Sequence, residues 1–146
     1  MIDKELYSKI HELLPIACVD LLIVDDGKIL LVKRNREPAK DQYWFPGGRM
    51  LRNETFAGAA KRLALGETGL HINAVETLGV DNLIFVEDPF GHGQGTHTVT
   101  CVVKCMPITT DIKLDPNHDS YIWWDHTPLE GLHEYITSWS DAALRL

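Results

Sequence analysis

The chain has no long apolar run, and none of its 146 residues belongs to a stretch that could span a membrane. Cysteine is scarce. Cys18, Cys101 and Cys105 are an odd set without C-x-x-C spacing, which argues against a disulfide framework. They fall in apolar, strand-like stretches and read as buried free thiols of a reducing compartment. Basic residues are outnumbered: 14 Lys and Arg against 21 Asp and Glu leave a net charge of −7. That balance argues against a nucleic-acid partner gripped by a basic surface. Repeats, low-complexity segments and composition breaks are missing, so one domain over 1–146 is expected. The first residues are acidic and polar where a secretory leader needs an apolar run, so a cytoplasmic location is expected.

Hydrophobic spacing supplies the elements. Leu6, Ile10, Leu13 and Leu14 follow helical spacing, with Asp3 as N-cap and Pro15 as stop. Ile16 to Val24 reads as a buried strand, Asp25-Asp26-Gly27 as a hairpin turn and Ile29 to Val32 as the returning strand. Pro38 to Gln42 is a polar loop. Residues 72–80 and 83–87 look like two strands, Asp88 to Gly95 a Gly-rich loop, and Thr96 to Met106 a long strand. Asp111 to Asp119 is polar and loop-like, followed by a short strand at Tyr121 to Trp124. Leu129, Leu132, Ile136, Trp139 and Leu144 predict a C-terminal helix. Helices flanking a mixed sheet make an α/β arrangement.

The most informative stretch is Gly48 to Leu70, GRMLRNETFAGAAKRLALGETGL. It predicts one helix from near Thr55 to Gly69, a glycine suited to a left-handed C-cap. Positions 63, 66 and 67 share one face of it, because residues three and four apart are neighbours. Carboxylates there would hold a hard divalent cation through oxygen. Leu63 and Gly66 leave Glu67 as the one carboxylate of that face. On these residues alone, the segment is either an ordinary amphipathic helix or part of a metal site.

The spacing of Gly48, Glu54, Arg62, Glu67, Gly69 and Leu70 resembles the 23-residue signature of the Nudix hydrolases, G-x5-E-x7-R-E-U-x-E-E-x-G-U, here a box over 48–70. The departures are Leu63 and Gly66, where the family has glutamates. Further pieces are similar to one branch, the GDP-mannose mannosyl hydrolases. These are Pro15 to Asp20, Lys33-Arg34, Pro38-Ala39, Tyr43-Trp44-Phe45, Pro46 to Arg49, Pro116 to Tyr121, and Trp123. That branch also has leucine after the helix arginine and lacks the first glutamate of the pair. The resemblance implies a Nudix-type α/β/α sandwich with a mixed sheet. It implies Mg²⁺-dependent hydrolysis of a nucleotide sugar such as GDP-mannose, with Mn²⁺ as a substitute metal. Water attacks the anomeric carbon in that branch, releasing GDP and the free sugar, and a homodimer is implied.

Residue by residue, the resemblance makes His118 the general base, a role an imidazole suits at neutral pH. Metal ligands would be Glu67, the Gly47 carbonyl and Asn117, where the branch usually has glutamine. Arg34 and Arg49 would clamp the diphosphate, since guanidinium matches phosphate geometry. Asp20, a carboxylate inside an apolar strand, needs a partner; it is either a sugar contact or half of a structural ion pair. Tyr7 would either lie against the base, in its own subunit or across a dimer, or pack its own helix. Glu54 and Arg62 would fix the loop and helix together with Gly48 and Gly69. Thr98 stands where a tyrosine is expected, and the segment before Pro46 is one residue short. Two other readings stay open: a pyrophosphatase attacking phosphorus, and a binding module without turnover.

Overall fold

The computed structural model describes residues 2–144. β1 (Ile16–Asp25) is the hub of the sheet. Its residues from Val19 to Ile23 are all buried, as expected of a strand covered on both faces. β1 turns at Asp26 and Gly27, both with positive φ, into β2 (Lys28–Arg34), the left-handed pair that a tight hairpin demands. The two strands pair only near the turn, at Val24↔Ile29 and Asp25↔Lys28. They then diverge. β1 runs parallel to β6 (Thr96–Pro107) from Ile16 to Ile23, while β2 pairs with β7 (His118–Trp124) and with the short β3 (Tyr43–Trp44). β4 (Gly47–Arg49) lies against β1, and β5 (Ile72–Phe85) closes the edge beyond β6. The gap opened by the divergence of β1 and β2 is where the cleft forms.

α2 (Phe56–Thr68) covers one face of the sheet. Its N-cap Thr55 accepts from the Gly58 N–H, and Gly69 adopts the left-handed C-cap conformation. Ala59, Ala60, Leu63 and Ala64 pack with Val19, Leu21, Val103 and Leu70 in one core cluster. α3 (Glu134–Leu144) covers the opposite face, where Tyr135, Ile136 and Ala143 join Leu22, Leu31, Trp44, Phe45 and Val102. The mixed sheet between two helical layers is the expected α/β/α arrangement. α1 (Lys4–Leu13) starts at Asp3, whose side chain accepts from the Leu6 N–H, and lies beside β6 at the mouth of the gap.

Four expectations are corrected. Residues 72–80 and 83–87 are not two strands; β5 is continuous because Asp81 and Asn82 pair in register with Thr100 and Val99 of β6, and its two register shifts fall earlier, between Ala74 and Glu76 and between Thr77 and Gly79. The C-terminal helix starts at Glu134, not at Leu129, because Gly131 holds a positive φ and the His133 ring caps the Tyr135 N–H. His118 is not in a loop; it opens β7, opposite Arg34 of β2. Cys101 and Cys105 are buried, but Cys18 is only half-buried, because its side of β1 faces the cleft.

Gly79 sits at one of the β5 register shifts, under the Trp139 ring. A Cβ there would come within 2.6 Å of Trp139 Cη2 and displace an indole that donates to Asp81 at 3.0 Å. Gly79→Ala is expected to cost about 1–3 kcal/mol, read as a lower urea midpoint with unchanged m.

Candidate active site

The cleft has a volume of about 290 Å³ and is lined from β1, β2, β4, α2, β6, the start of β7, α1 and the 88–95 loop. Its floor depends on Gly47. β4 pairs with β1 at Asp20↔Gly47, Val19↔Gly48 and Cys18↔Arg49. A Cβ at position 47 would collide with the Asp20 carboxylate and the Val19 carbonyl, and one at 48 would meet Leu63 at 2.9 Å. Only bare backbone fits at this approach.

Arg62 locks this floor to the helix. Its Nε donates to Glu54 Oε2 at 2.6 Å and its Nη2 to Glu54 Oε1 at 2.9 Å. The same Nη2 reaches the Arg49 carbonyl at 2.9 Å, while Glu54 Oε1 accepts from the Leu51 N–H at 2.7 Å. One guanidinium thus joins α2, the 50–54 loop and β4, using a planar fork that lysine lacks. Glu67, further along the helix, then meets the floor: the Gly47 N–H donates to its Oε1 at 3.0 Å.

The polar side chains of the cleft converge around Glu67. His118 is buried, with Nε2 4.0 Å from Glu67 Oε1. Its Nδ1 lies 2.6 Å from Asp115 Oδ1, a partner not among the residues expected from the sequence. The carboxylate accepts, so Nδ1 carries the proton and the neutral ring keeps Nε2 as its acceptor. The Asp115 N–H donates to the Glu67 carbonyl at 3.1 Å, which ties this loop to the end of α2. Burial pushes the Glu67 carboxyl up to about 8, with Asp115 adding to the shift and the Gly47 N–H and Arg34 opposing it. Arg34 is held by its Nε–H to the Pro38 carbonyl at 2.7 Å, and Asn117 and Thr98 also line the cleft.

Asp20 has no ion-pair partner among the described residues, so the structural ion pair is corrected. Its direct partner is Tyr135, whose hydroxyl donates to Oδ2 at 2.7 Å. Burial lifts Asp20 to about 6, against the Tyr135 bond and Arg34. Tyr7 lies in the cleft wall, with the Arg49 guanidinium 4.2 Å above its ring and Phe90 edge-on at 5.4 Å.

The NUDIX domain profile matches residues 14–145. The chain belongs to the Nudix family. Its fold superposes on a MutT protein of Methanosarcina mazei with a TM-score of 0.72 at 23% identity, over 87% of this chain and 91% of that one. A MutT Nudix hydrolase of Burkholderia pseudomallei gives 0.71 at 24%, over 88% and 98%. In sequence, low-salt glycan biosynthesis protein Agl8 of Haloferax volcanii is 28% identical over 128 residues, 88% of this chain and 81% of that protein. An ADP-ribose pyrophosphatase of Methanocaldococcus jannaschii is 40% identical over 78 residues, 53% of this chain and 46% of that protein, so the match spans under half of it.

Nudix hydrolases generally use divalent metals such as Mg²⁺. Among the described residues, no group of three or more His, Cys, Asp or Glu side chains could hold an ion unaided. What is present is the half-buried Glu67 carboxylate facing a second acceptor, His118 Nε2, across 4.0 Å, with Gly47 and Asn117 among the residues that line the same cleft. Two acceptors face to face favour a cation or a donor between them. This hard oxygen set fits a single Mg²⁺ completed by substrate phosphate and water, and does not fit a cluster. The two missing glutamates differ in kind. Leu63 is part of the core, whereas Gly66 is exposed, and a Cβ placed on it would meet nothing within 4 Å. Gly66→Glu is therefore expected to stabilise the helix by about 0.5–1 kcal/mol and to tighten Mg²⁺ binding in calorimetry. Leu63→Glu buries a carboxylate in the core and is expected to cost about 3 kcal/mol, read by urea melts.

Proposed function

We propose that the protein is a Mg²⁺-dependent Nudix hydrolase of a nucleotide sugar, GDP-mannose or a close analogue, that directs water to the anomeric carbon. The observation that carries this reading is the imbalance of the site. The helix face offers one carboxylate, Glu67, while a buried imidazole held by Asp115 stands opposite with its acceptor nitrogen in the cleft. Attack at phosphorus in this family draws on the metal-holding glutamates that are Leu63 and Gly66 here. Attack at carbon needs a positioned base and a stabilised leaving group, and those are the parts present.

In this reading, His118 Nε2 takes a proton from water as the water oxygen bonds to C1. The C1–O bond breaks, its electrons go to the diphosphate, and GDP leaves. Arg34 and Arg49 bind the diphosphate, and Asp20, oriented by Tyr135, accepts from a sugar hydroxyl. Glu67, the Gly47 carbonyl and Asn117 would hold the metal. When bound, Mg²⁺ supplies charge neutralisation for the departing diphosphate. The name of the Haloferax relative, a glycan biosynthesis protein, accords with a sugar-linked substrate. A second reading, hydrolysis at phosphorus, draws support from the ADP-ribose pyrophosphatase relative. We extend the reading to one catalytic domain, in the cytoplasm, as a homodimer, with neither nucleic acid nor membrane as partner. Among the described residues no helix is long and apolar enough to cross a bilayer.

Incubation with GDP-mannose and Mg²⁺ in ¹⁸O-water is expected to place label in free mannose and leave GDP unlabelled. Label in GMP or mannose 1-phosphate would establish the second reading instead. His118→Gln is expected to lower kcat about 10²–10⁴-fold, and Asp115→Ala to lower it in the same direction by removing the acceptor that anchors Nδ1. A His118→Gln enzyme with undiminished kcat would remove His118 as the base.

A further inference from the structure

A second group of cleft-lining side chains comes from α1 and the 88–95 loop: Tyr7, His11, Pro89 and Phe90. The loop is shaped by Asp88. Its Oδ1 accepts from the N–H groups of Phe90, Gly91 and His92, and its Oδ2 from Gly93. Gly91, Gly93 and Gly95 all hold positive φ, which lets the loop curl back on itself. The curl delivers His92 onto His11, with His11 Nδ1 2.7 Å from His92 Nε2.

The proton positions along this pair follow from one fixed donor. The Gln94 backbone N–H donates into His92 Nδ1 at 3.0 Å, so that nitrogen is an acceptor. A neutral His92 then carries its proton on Nε2 and donates it to His11 Nδ1. A neutral His11 must in turn carry its own proton on Nε2. Burial holds His11 below the usual histidine value and His92 lowers it further, while Asp88 opposes them. His11 is 8% exposed, and its Nε2 bonds to no described residue. Nor is that atom sealed in the interior, a state found only at His126 Nε2 and Ser140 Oγ among the described residues. His11 Nε2–H is therefore a fixed donor open to the cleft.

Its surroundings suit a flat ring. Phe90 meets the His11 ring edge-on at 4.9 Å, and the Tyr7 face lies beside them under Arg49. We propose that His11 reads the nucleobase: its Nε2–H donates to the 6-oxo group of guanine or the 4-oxo group of uracil and selects these bases over adenine and cytosine, which carry an amino group at that position. His92 is the positioning residue that fixes the tautomer, held by the Gln94 N–H in the loop that Asp88 shapes. An amino group at the same place sets donor against donor, and a site built to donate rejects such a ligand. α1 lies before the 14–145 stretch that matches the shared domain, so this selectivity is carried by an element added to it. The proposal rests on the nucleoside diphosphate part of the reading above and not on where water attacks.

The test is calorimetric titration of the whole protein with GDP, UDP, ADP and CDP in Mg²⁺, without turnover. GDP and UDP are expected to bind about tenfold more tightly than ADP and CDP. His11→Phe keeps a ring and loses the donor; it is expected to weaken GDP and UDP about tenfold and not to weaken ADP or CDP. His11→Gln, whose amide rotates to offer donor or acceptor, is expected to bind all four alike. Wild-type protein that binds all four alike, or a His11→Phe variant that weakens all four equally, would overturn the proposal. Wild-type protein that binds none of them would overturn it together with the nucleoside diphosphate reading. Hydrolysis at phosphorus would leave it standing.

Discussion

The cleft exists because a bare backbone passes close to β1 at Gly47. A side chain there would meet the Asp20 carboxylate and the Val19 carbonyl, so β4 could not pair with β1. Everything polar in the site is referenced to that approach. The Gly47 N–H holds Glu67 from below, and the Arg62 fork holds Glu54 and the Arg49 carbonyl from the side. Glu67 in turn receives the Asp115 N–H at its own carbonyl, and Asp115 orients His118. The chain of contacts runs from a glycine in a short strand to the ring of a histidine seventy-one positions later. Each link is a directional hydrogen bond, so a small shift in β4 reaches the imidazole.

The same floor explains why the helix carries so few acids. Leu63 packs under Gly48 in the core, which leaves no solvated place for a carboxylate. Gly66 is exposed and has room, so its missing acid is a matter of composition and not of packing. Glu67 is thus left as the one acid that the helix brings to the cleft, and burial pushes its carboxyl upward.

Much of this was legible in the sequence, for local reasons. The bounds and caps of α2, the β1–β2 turn and the N-cap of α1 follow from residues within one turn of each other. Of the spaced motif, Gly48 and Glu67 line the cleft, and Tyr7, Asp20, Arg34, Asn117 and His118, named by the resemblance of other segments, line it with them. What was missed is long-range or masked by irregularity. The Asp81-Asn82 pair reads as a break in β5, yet both residues pair with β6 and Asp81 finds the Trp139 indole. Tyr135 meets Asp20 across 115 positions and His92 meets His11 across 81, separations at which no periodicity speaks. Asp115 was the one recoverable miss, since it stands three residues before His118 in a turn-forming segment.

The two histidine pairs show how neighbours decide what an imidazole does. In His118 the Nδ1 partner is a carboxylate that accepts, so the exposed edge of the neutral ring is an acceptor suited to taking a proton. In His11 the Nδ1 partner is the Nε2–H of another histidine, itself fixed by a backbone donor, so the exposed edge is a donor suited to recognition. The same side chain thus presents opposite polarity at two places in one cleft, and neither polarity is a property of histidine. It is set by the group behind the ring. Exchanging the acceptor behind His118 for a donor would invert its edge and leave the ring in place, which makes Asp115 as much a determinant of what that ring offers the cleft as His118 itself.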